Sequence, residues 1–447
     1  MASGLFGADG VRGLANSEPI TAETALKLAL AAGARFAAGG QRRRVIIGKD
    51  TRLSGYMLET ALSAGFLSMG MDVMLLGPIP TPAVGMLARS MRADLGVMIS
   101  APERSFEDNG IRLFGGDGFH LGDDVQADIA MRVDAATPPA ARAASAELGR
   151  ARRLDDARGR YIEFAKSSFP KGLSLAGFKI VVDCANGAAC RVAPSVLWEL
   201  GARVIAIGVE PNGTNINRDC GAMHPDRVKS AVHENGADLG IALDGDGGGL
   251  IMVDELGRSA DGDQLMALIA RCWAAAGRLK GDRVTATVMS SLGLERFLST
   301  HGIALKRTPS GDRCIVEEMR RNGGNLGGEP SGRIVLTDFA TTGDGLIAAL
   351  QVLAALVQAN RPASEVLRAF PPLPRASETV ACRLPVDEGR VKAGIRAGEA
   401  ELDGKGRLVV YKSRTGPSIH VVAESEDEKL AARVVADLAA AVKIPGE

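Results

Sequence analysis

Four polar loops hold the residues of this 447-residue chain whose types and spacing suit chemistry. The first follows the apolar run Leu95–Ile99 and reads Ser100-Ala101-Pro102-Glu103-Arg104-Ser105, ahead of Asn109-Gly110-Ile111-Arg112. Glu103 can act as a general base if burial raises its pKa; a solvated loop carboxylate is the other reading. Arg112 keeps its charge but is a poor proton shuttle, because a guanidinium does not deprotonate near neutrality. The second loop, Asp244-Gly245-Asp246-Gly247-Gly248-Gly249, offers two hard carboxylate ligands for a divalent cation, or forms a plain tight turn after a strand. The third, Gly328-Glu329-Pro330-Ser331-Gly332-Arg333, carries a carboxyl and a hydroxyl on a backbone stiffened by proline. In the fourth, Lys412, Arg414 and His420 bracket Ser413 and Thr415. Such a loop can hold an anion, or it can be a hairpin edge kept solvated by its charges.

The elements that must position these loops read as repeated strand–helix–strand units. Val45–Gly48, Val73–Leu76, Lys179–Asp183, Leu239–Leu243 and Val284–Val288 are short apolar runs typical of buried strands. Alanine- and leucine-rich helical stretches alternate with them, notably Ala25–Ala38, Met57–Met69, Asp263–Ala276 and a long apolar helix ending at Leu356. Asn109-Gly110 predicts a turn into a second strand, and Ala135–Ala141 predicts a linker. The first unit should be α/β with a mainly parallel sheet. The expected domains are 1–150, 151–255, 256–370 and a small C-terminal sheet-and-helix unit, 371–447. The chain is too long for a single core.

Composition narrows the function classes. Lys+Arg and Asp+Glu each number 53, so no global field favours nucleic acid or an acidic membrane. The basic cluster Arg42-Arg43-Arg44 reads as a solvated turn or helix end. Six cysteines without a Cys-x-x-Cys pair argue against a disulfide framework and a structural zinc site. No leader-like start or membrane-length apolar run is present, so a cytoplasmic protein is expected.

Beyond these readings, the chain resembles the α-D-phosphohexomutase family along essentially its whole length, most closely the phosphoglucosamine mutase branch. Phe6-Gly7-Ala8-Asp9-Gly10-Val11-Arg12-Gly13, Gly48-Lys49-Asp50-Thr51-Arg52, Asp183-Cys184-Ala185-Asn186-Gly187 and Asn215-Ile216-Asn217 match its scaffold motifs. The resemblance implies three similar α/β domains and a small fourth one around a central cleft, with Pro102, Asp244, Glu329 and Ser413 on loops facing it. It also implies a phosphoserine nucleophile where this chain has Pro102, and a magnesium loop of which Asp244 and Asp246 remain while the third carboxylate is Gly248. Sugar-hydroxyl contacts fall to Glu329 and Ser331, and phosphate binding to the loop holding Lys412, Ser413, Arg414, Thr415 and His420. Arg12 falls on the family's active-site arginine, and Arg112 stands where a lysine is usual.

With no hydroxyl at Pro102, the expectation is a chain without mutase activity, acting as a binding or regulatory pseudoenzyme. The alternatives are phosphoserine-independent chemistry on a sugar phosphate or related anion, and residual mutase activity through Ser100 or Ser105. No cofactor is expected unless the two aspartates still bind magnesium. A sugar phosphate or other anion, a protein partner or a second copy of the chain are the candidate partners.

Overall fold

The computed structural model describes residues 4–7, 9–36, 43–134, 142–381, 388–412 and 418–442. The Ala135–Ala141 linker and Arg42 lie outside the described residues. Arg43 and Arg44 are structural: Arg43 pairs with Asp94 at 2.8 Å, and Arg44 Nη1 donates to the Met91 carbonyl at 2.9 Å.

The apolar runs form the expected strands, each flanked by helices. In the first sheet, Arg44–Lys49 pairs in parallel with Asp72–Pro78 and Leu95–Ile99, and Ala151–Arg153 extends the parallel side. Asp108–Gly115 and Val11–Leu14 complete the other side in antiparallel register. Asn109 and Gly110 therefore lie inside a strand, contrary to the predicted turn. Both flanks of that strand are paired, and the Asn109 side chain is used locally. Its Nδ2 donates to Ser54 Oγ and its Oδ1 accepts from the Gly110 N–H, each at 2.8 Å. The reversal comes earlier, within residues 100–107.

The second sheet pairs Lys179–Asp183 in parallel with Arg203–Ile207 and Leu239–Leu243, with Leu250–Asp254 antiparallel beyond. The third pairs Arg283–Thr287 in parallel with Ala304–Thr308 and Leu326–Gly328, with Ile334–Leu336 antiparallel beyond. One device recurs in all three: a buried parallel strand turns into an antiparallel neighbour. The connections are residues 100–107, 244–249 and 329–333, which are the first three loops singled out from the sequence. Loops at the carboxyl ends of such strands are where open α/β sheets place ligands.

The sheets share one continuous apolar core containing Ile46 and Met74 of the first, Ile180 and Val182 of the second, and Val284 and Ala286 of the third. The helix Gly345–Ala359 runs through it and is buried on every side from Gly345 to Leu356, as its apolar sequence requires. Asp344 caps that helix by accepting the Ile347 N–H at 2.9 Å, and the Tyr161 hydroxyl donates to the same carboxylate at 3.0 Å.

The C-terminal unit has its own core, including Val421, Val434 and Leu438, between an antiparallel three-stranded sheet and the helices Glu388–Leu402 and Glu428–Val442. Arg407 ties it to the third sheet by donating to the carbonyls of Val288 and Ser290, and Glu424 accepts the Leu292 N–H at 2.8 Å. Burial and the nearby Arg307 push the Arg407 pKa down to about 10, which leaves it charged at neutral pH. Arg407→Ala should cost about 1–3 kcal/mol. The loss should appear as faster hydrogen exchange in the strand Ser418–Ser425, with Gly345–Ala359 unchanged. Equal protection in both segments would contradict this docking.

Candidate functional site

The three hairpin loops meet. The Pro102 carbonyl accepts from the Gly245 N–H at 3.1 Å and from Asn217 Nδ2 at 2.7 Å, so the first loop is fastened to the second. Only glycine permits this approach at residue 245, where a Cβ would lie 2.9 Å from both the Pro102 oxygen and Ile216 Cδ1. On its other side the first loop is gripped by fully buried Arg52. Its guanidinium donates to the carbonyls of Ala101 and Arg104 at 2.5 and 2.6 Å and pairs with buried Asp50.

Pro102 is buried, whereas Glu103, Arg104 and Ser105 are exposed. Ser100 is fully buried and its hydroxyl donates to Asp50 at 2.6 Å, which makes it a structural group. Ser105 lines a cavity of about 240 Å³ with Phe106, Thr214, Arg218 and His224, and neither Glu329 nor Arg333 lines it. Glu103 also borders that cavity, but its charge is felt by Asp244, Glu329 and Arg333 as well.

At the centre stands a buried cluster of two aspartates and two arginines. Arg333 Nη2 lies 2.7 Å from Asp244 Oδ2 and 3.3 Å from Asp246 Oδ1. Arg112 pairs with Asp246 Oδ2, which also accepts from the Thr81 hydroxyl. Burial opposes ionisation of Asp246, but Arg333 and Arg112 outweigh it and hold this carboxyl well below its usual range. Among the described residues Asp244 has one guanidinium partner, and burial together with the charge of Asp246 pushes its pKa up to about 7. Arg12 lies beside the cluster, 3.7 Å from Asp9, its pKa lowered by burial and, through Coulomb repulsion, by Arg112 and Arg333. Among the described residues, Arg12 Nε, Arg112 Nε and Arg333 Nη1 are buried nitrogens without a hydrogen-bond partner. Unpaired buried donors on neighbouring guanidinium groups are what an oxyanion such as a phosphoryl group satisfies.

Glu329, half-buried at the mouth of the third loop, has its pKa pushed up to about 7, chiefly by burial and despite Arg333. It can therefore give and take protons near neutral pH. Ser331 is exposed on the same turn. The fourth loop enters only in part: Ser413, Arg414 and Thr415 lie outside the described residues. Lys412 ends the strand Gly406–Lys412, and His420 stacks on Tyr411 with its Nδ1 2.9 Å from Thr379 Oγ1.

The residues present do not fit the magnesium site that the resemblance implies. Three of the four oxygens of Asp244 and Asp246 are engaged by Arg333, Arg112, Thr81 or the Gly248 N–H. A Cβ at Gly248, the place of the third carboxylate, would lie 2.2 Å from Arg333 Nη1. Among the described residues no group of three or more His, Cys, Asp or Glu side chains is placed to hold a metal ion. Sequence reasoning quoted Arg333 without giving it a role and missed Asn217 and Thr81 as fasteners. An arginine ending the Gly-Glu-Pro-Ser-Gly-Arg loop, opposite two aspartates, was the signal available for Arg333.

Models of domains I, II and III of the phosphoglucomutase/phosphomannomutase family match residues 3–139, 159–257 and 261–373. The chain is 60% identical to phosphoglucosamine mutase of Rhodospirillum centenum, covering 98% of this chain and 95% of that one. It is 58% identical to phosphoglucosamine mutase of Rhodospirillum rubrum, covering 98% of each. Among solved structures, a phosphoglucomutase/phosphomannomutase family protein of Burkholderia thailandensis superposes with a TM-score of 0.83 at 23% identity, covering 99% and 98% of the two chains. N-acetylphosphoglucosamine mutase of Aspergillus fumigatus, in complex with GlcNAc-6P and magnesium, does so at 0.67 and 17% identity, covering 98% and 96%.

These likenesses overturn the pseudoenzyme expectation. It rested on a few loop positions, whereas full-length relatives at such identity carry the name of an active mutase. Pro102 alone is therefore not grounds for a pseudoenzyme. Among the described residues, no helix is long and apolar enough to cross a membrane.

Proposed function

Since the chain belongs to the phosphoglucomutase/phosphomannomutase family, we propose that it moves a phosphoryl group between the two ends of a hexosamine phosphate, as a phosphoglucosamine mutase does. The observation that carries this reading is the cluster itself. Three arginines that feel one another's charge, Arg12, Arg112 and Arg333, each keep a buried nitrogen without a partner among the described residues, and Arg333 also acts on Glu329, whose pKa is pushed up to about 7. Positioning and charge stabilisation supply most of the catalysis in phosphoryl transfer.

The loop carboxylate whose charge reaches Asp244, Glu329 and Arg333 is Glu103, and in this reading it takes the place of the missing hydroxyl. Carboxylates serve as phosphoryl acceptors elsewhere. With Glu103 phosphorylated, ionised Glu329 takes the proton of the free hydroxyl of a hexosamine monophosphate, that oxygen attacks phosphorus of the acyl phosphate, and the bond from phosphorus to Glu103 breaks to give a bisphosphate. After the bisphosphate turns over, a Glu103 oxygen attacks its other phosphorus, the bond from that phosphorus to the sugar oxygen breaks, and Glu329, now protonated, gives its proton to the departing oxygen. The arginines offset the repulsion between Glu103 and the phosphoryl oxygens. Glu329 and Ser331 contact sugar hydroxyls, and Lys412, Ser413, Arg414, Thr415 and His420 hold the distant phosphate.

The test is rapid quenching of the full chain with a hexosamine 1,6-bisphosphate, followed by peptide mapping of residues 95–112. One phosphoryl group on Glu103 is expected, released by hydroxylamine, absent in Glu103→Gln and retained in Ser105→Ala. A hydroxylamine-stable phosphoserine at Ser105 or Ser100 would overturn the assignment of Glu103.

A further inference from the structure

We propose that the guanidinium of Arg333 occupies the cation position between Asp244 and Asp246, so that this site carries its positive charge on the protein and binds no magnesium there. Its contacts are those of a bridging ion: Nη2 lies 2.7 Å from one carboxylate and 3.3 Å from the other. The side chain also has a passage built for it. A Cβ on Gly343 would lie 2.5 Å from Arg333 Cγ, and a Cβ on Gly248 would lie 2.2 Å from Nη1, so two glycines clear the path of its stem and its head. Gly332, at φ +85° and packed against the Leu250 backbone, turns the chain so that Arg333 enters this passage.

The chemistry follows from the exchange. A guanidinium stays charged when buried, needs no dehydration at each turnover and offers its donors in a fixed plane. Magnesium requires near-octahedral oxygen ligands and sheds water reluctantly. Here it would meet engaged carboxylate oxygens and a fixed cation within a few ångströms. Nη1, buried and unpartnered, is left to bind a phosphoryl oxygen. Only this last role rests on the mutase reading; the occupancy of the cation position does not.

The experiment reads metal binding without substrate, so its failure is distinct from a failure of turnover. Calorimetric titration of the unaltered full chain with magnesium, and with manganese, should show no saturable site. Its melting temperature should be the same in chelator and in millimolar magnesium. Arg333→Met should bind magnesium at least tenfold more tightly and melt at a higher temperature when the metal is added. Gly248→Ala, which crowds Nη1, should melt below the unaltered chain and remain indifferent to metal. One tight magnesium per unaltered chain, lost in Asp246→Asn, would overturn the proposal. So would a folded Arg333→Met without metal response, or a Gly248→Ala chain as stable as the original.

Discussion

Glu329→Gln should lower kcat for hexosamine phosphate isomerisation by about 10²–10⁴-fold, the usual contribution of a positioned general acid–base group. Glutamine keeps the shape and much of the hydrogen bonding, so KM should change far less than kcat. The pH profile supplies a second readout. A carboxyl raised to about 7 by burial should place an inflection in kcat near that pH, and the variant's residual rate should lack it. The same shift has a sign for stability. Between the ordinary carboxyl value and 7 the folded chain binds the Glu329 proton more tightly than the unfolded chain. Stability is therefore fully present at low pH in this respect and falls as pH rises through 7. Glu329→Gln should flatten that fall and be no less stable at pH 8. A variant with unchanged kcat, or one that loses KM alone, would assign Glu329 to binding only.

The largest effect on stability is expected at Arg52. Arg52→Met should cost about 3–5 kcal/mol, because it leaves Asp50 as an uncompensated buried charge and takes one of the donors from each of the carbonyls of Ala101 and Arg104. Denaturant unfolding measures it. Adding Asp50→Asn to Arg52→Met should recover part of the loss, since the pair is coupled. Strict additivity of the two substitutions would show that the guanidinium–carboxylate contact is not what matters. Arg52 touches no group proposed to react, yet it holds the backbone of the loop that presents Glu103. Its loss should therefore lower activity even where the chain remains folded.

Most of the scaffold could be read from local pattern. The runs Val45–Gly48, Lys179–Asp183 and Leu239–Leu243 are short and apolar, the first two rich in β-branched residues, and they could hardly be anything but buried strands. The helix Gly345–Ala359 announced its central position by having no polar face. Asn109-Gly110 misled because turn propensity is local, whereas the strand that claims these residues is paired on both flanks by Leu95–Ile99 and Val11–Leu14. The shared hairpin of the three sheets was likewise invisible, because it lives in pairing and leaves no repeat in the residues.

At the site, the loops were legible and their electrostatics were not. The two aspartates looked like a depleted metal site, since losing a third carboxylate reads as loss of charge balance. The balance is restored by Arg333, 87 residues away from Asp246 in sequence, through space cleared by Gly248 and Gly343. Glu103 read as a solvated carboxylate and is exposed; what its neighbours along the chain could not show is that its charge is felt by Arg333.

Phosphorus NMR of the purified full chain with glucosamine 6-phosphate and a trace of the 1,6-bisphosphate tests the central claim most directly. The predicted result is a growing sugar 1-phosphate resonance that reaches equilibrium after many turnovers per chain, in chelator as well as in magnesium, and is suppressed by Glu329→Gln. A spectrum that stays at the 6-phosphate under every metal condition, with the folded protein at high concentration, would contradict it.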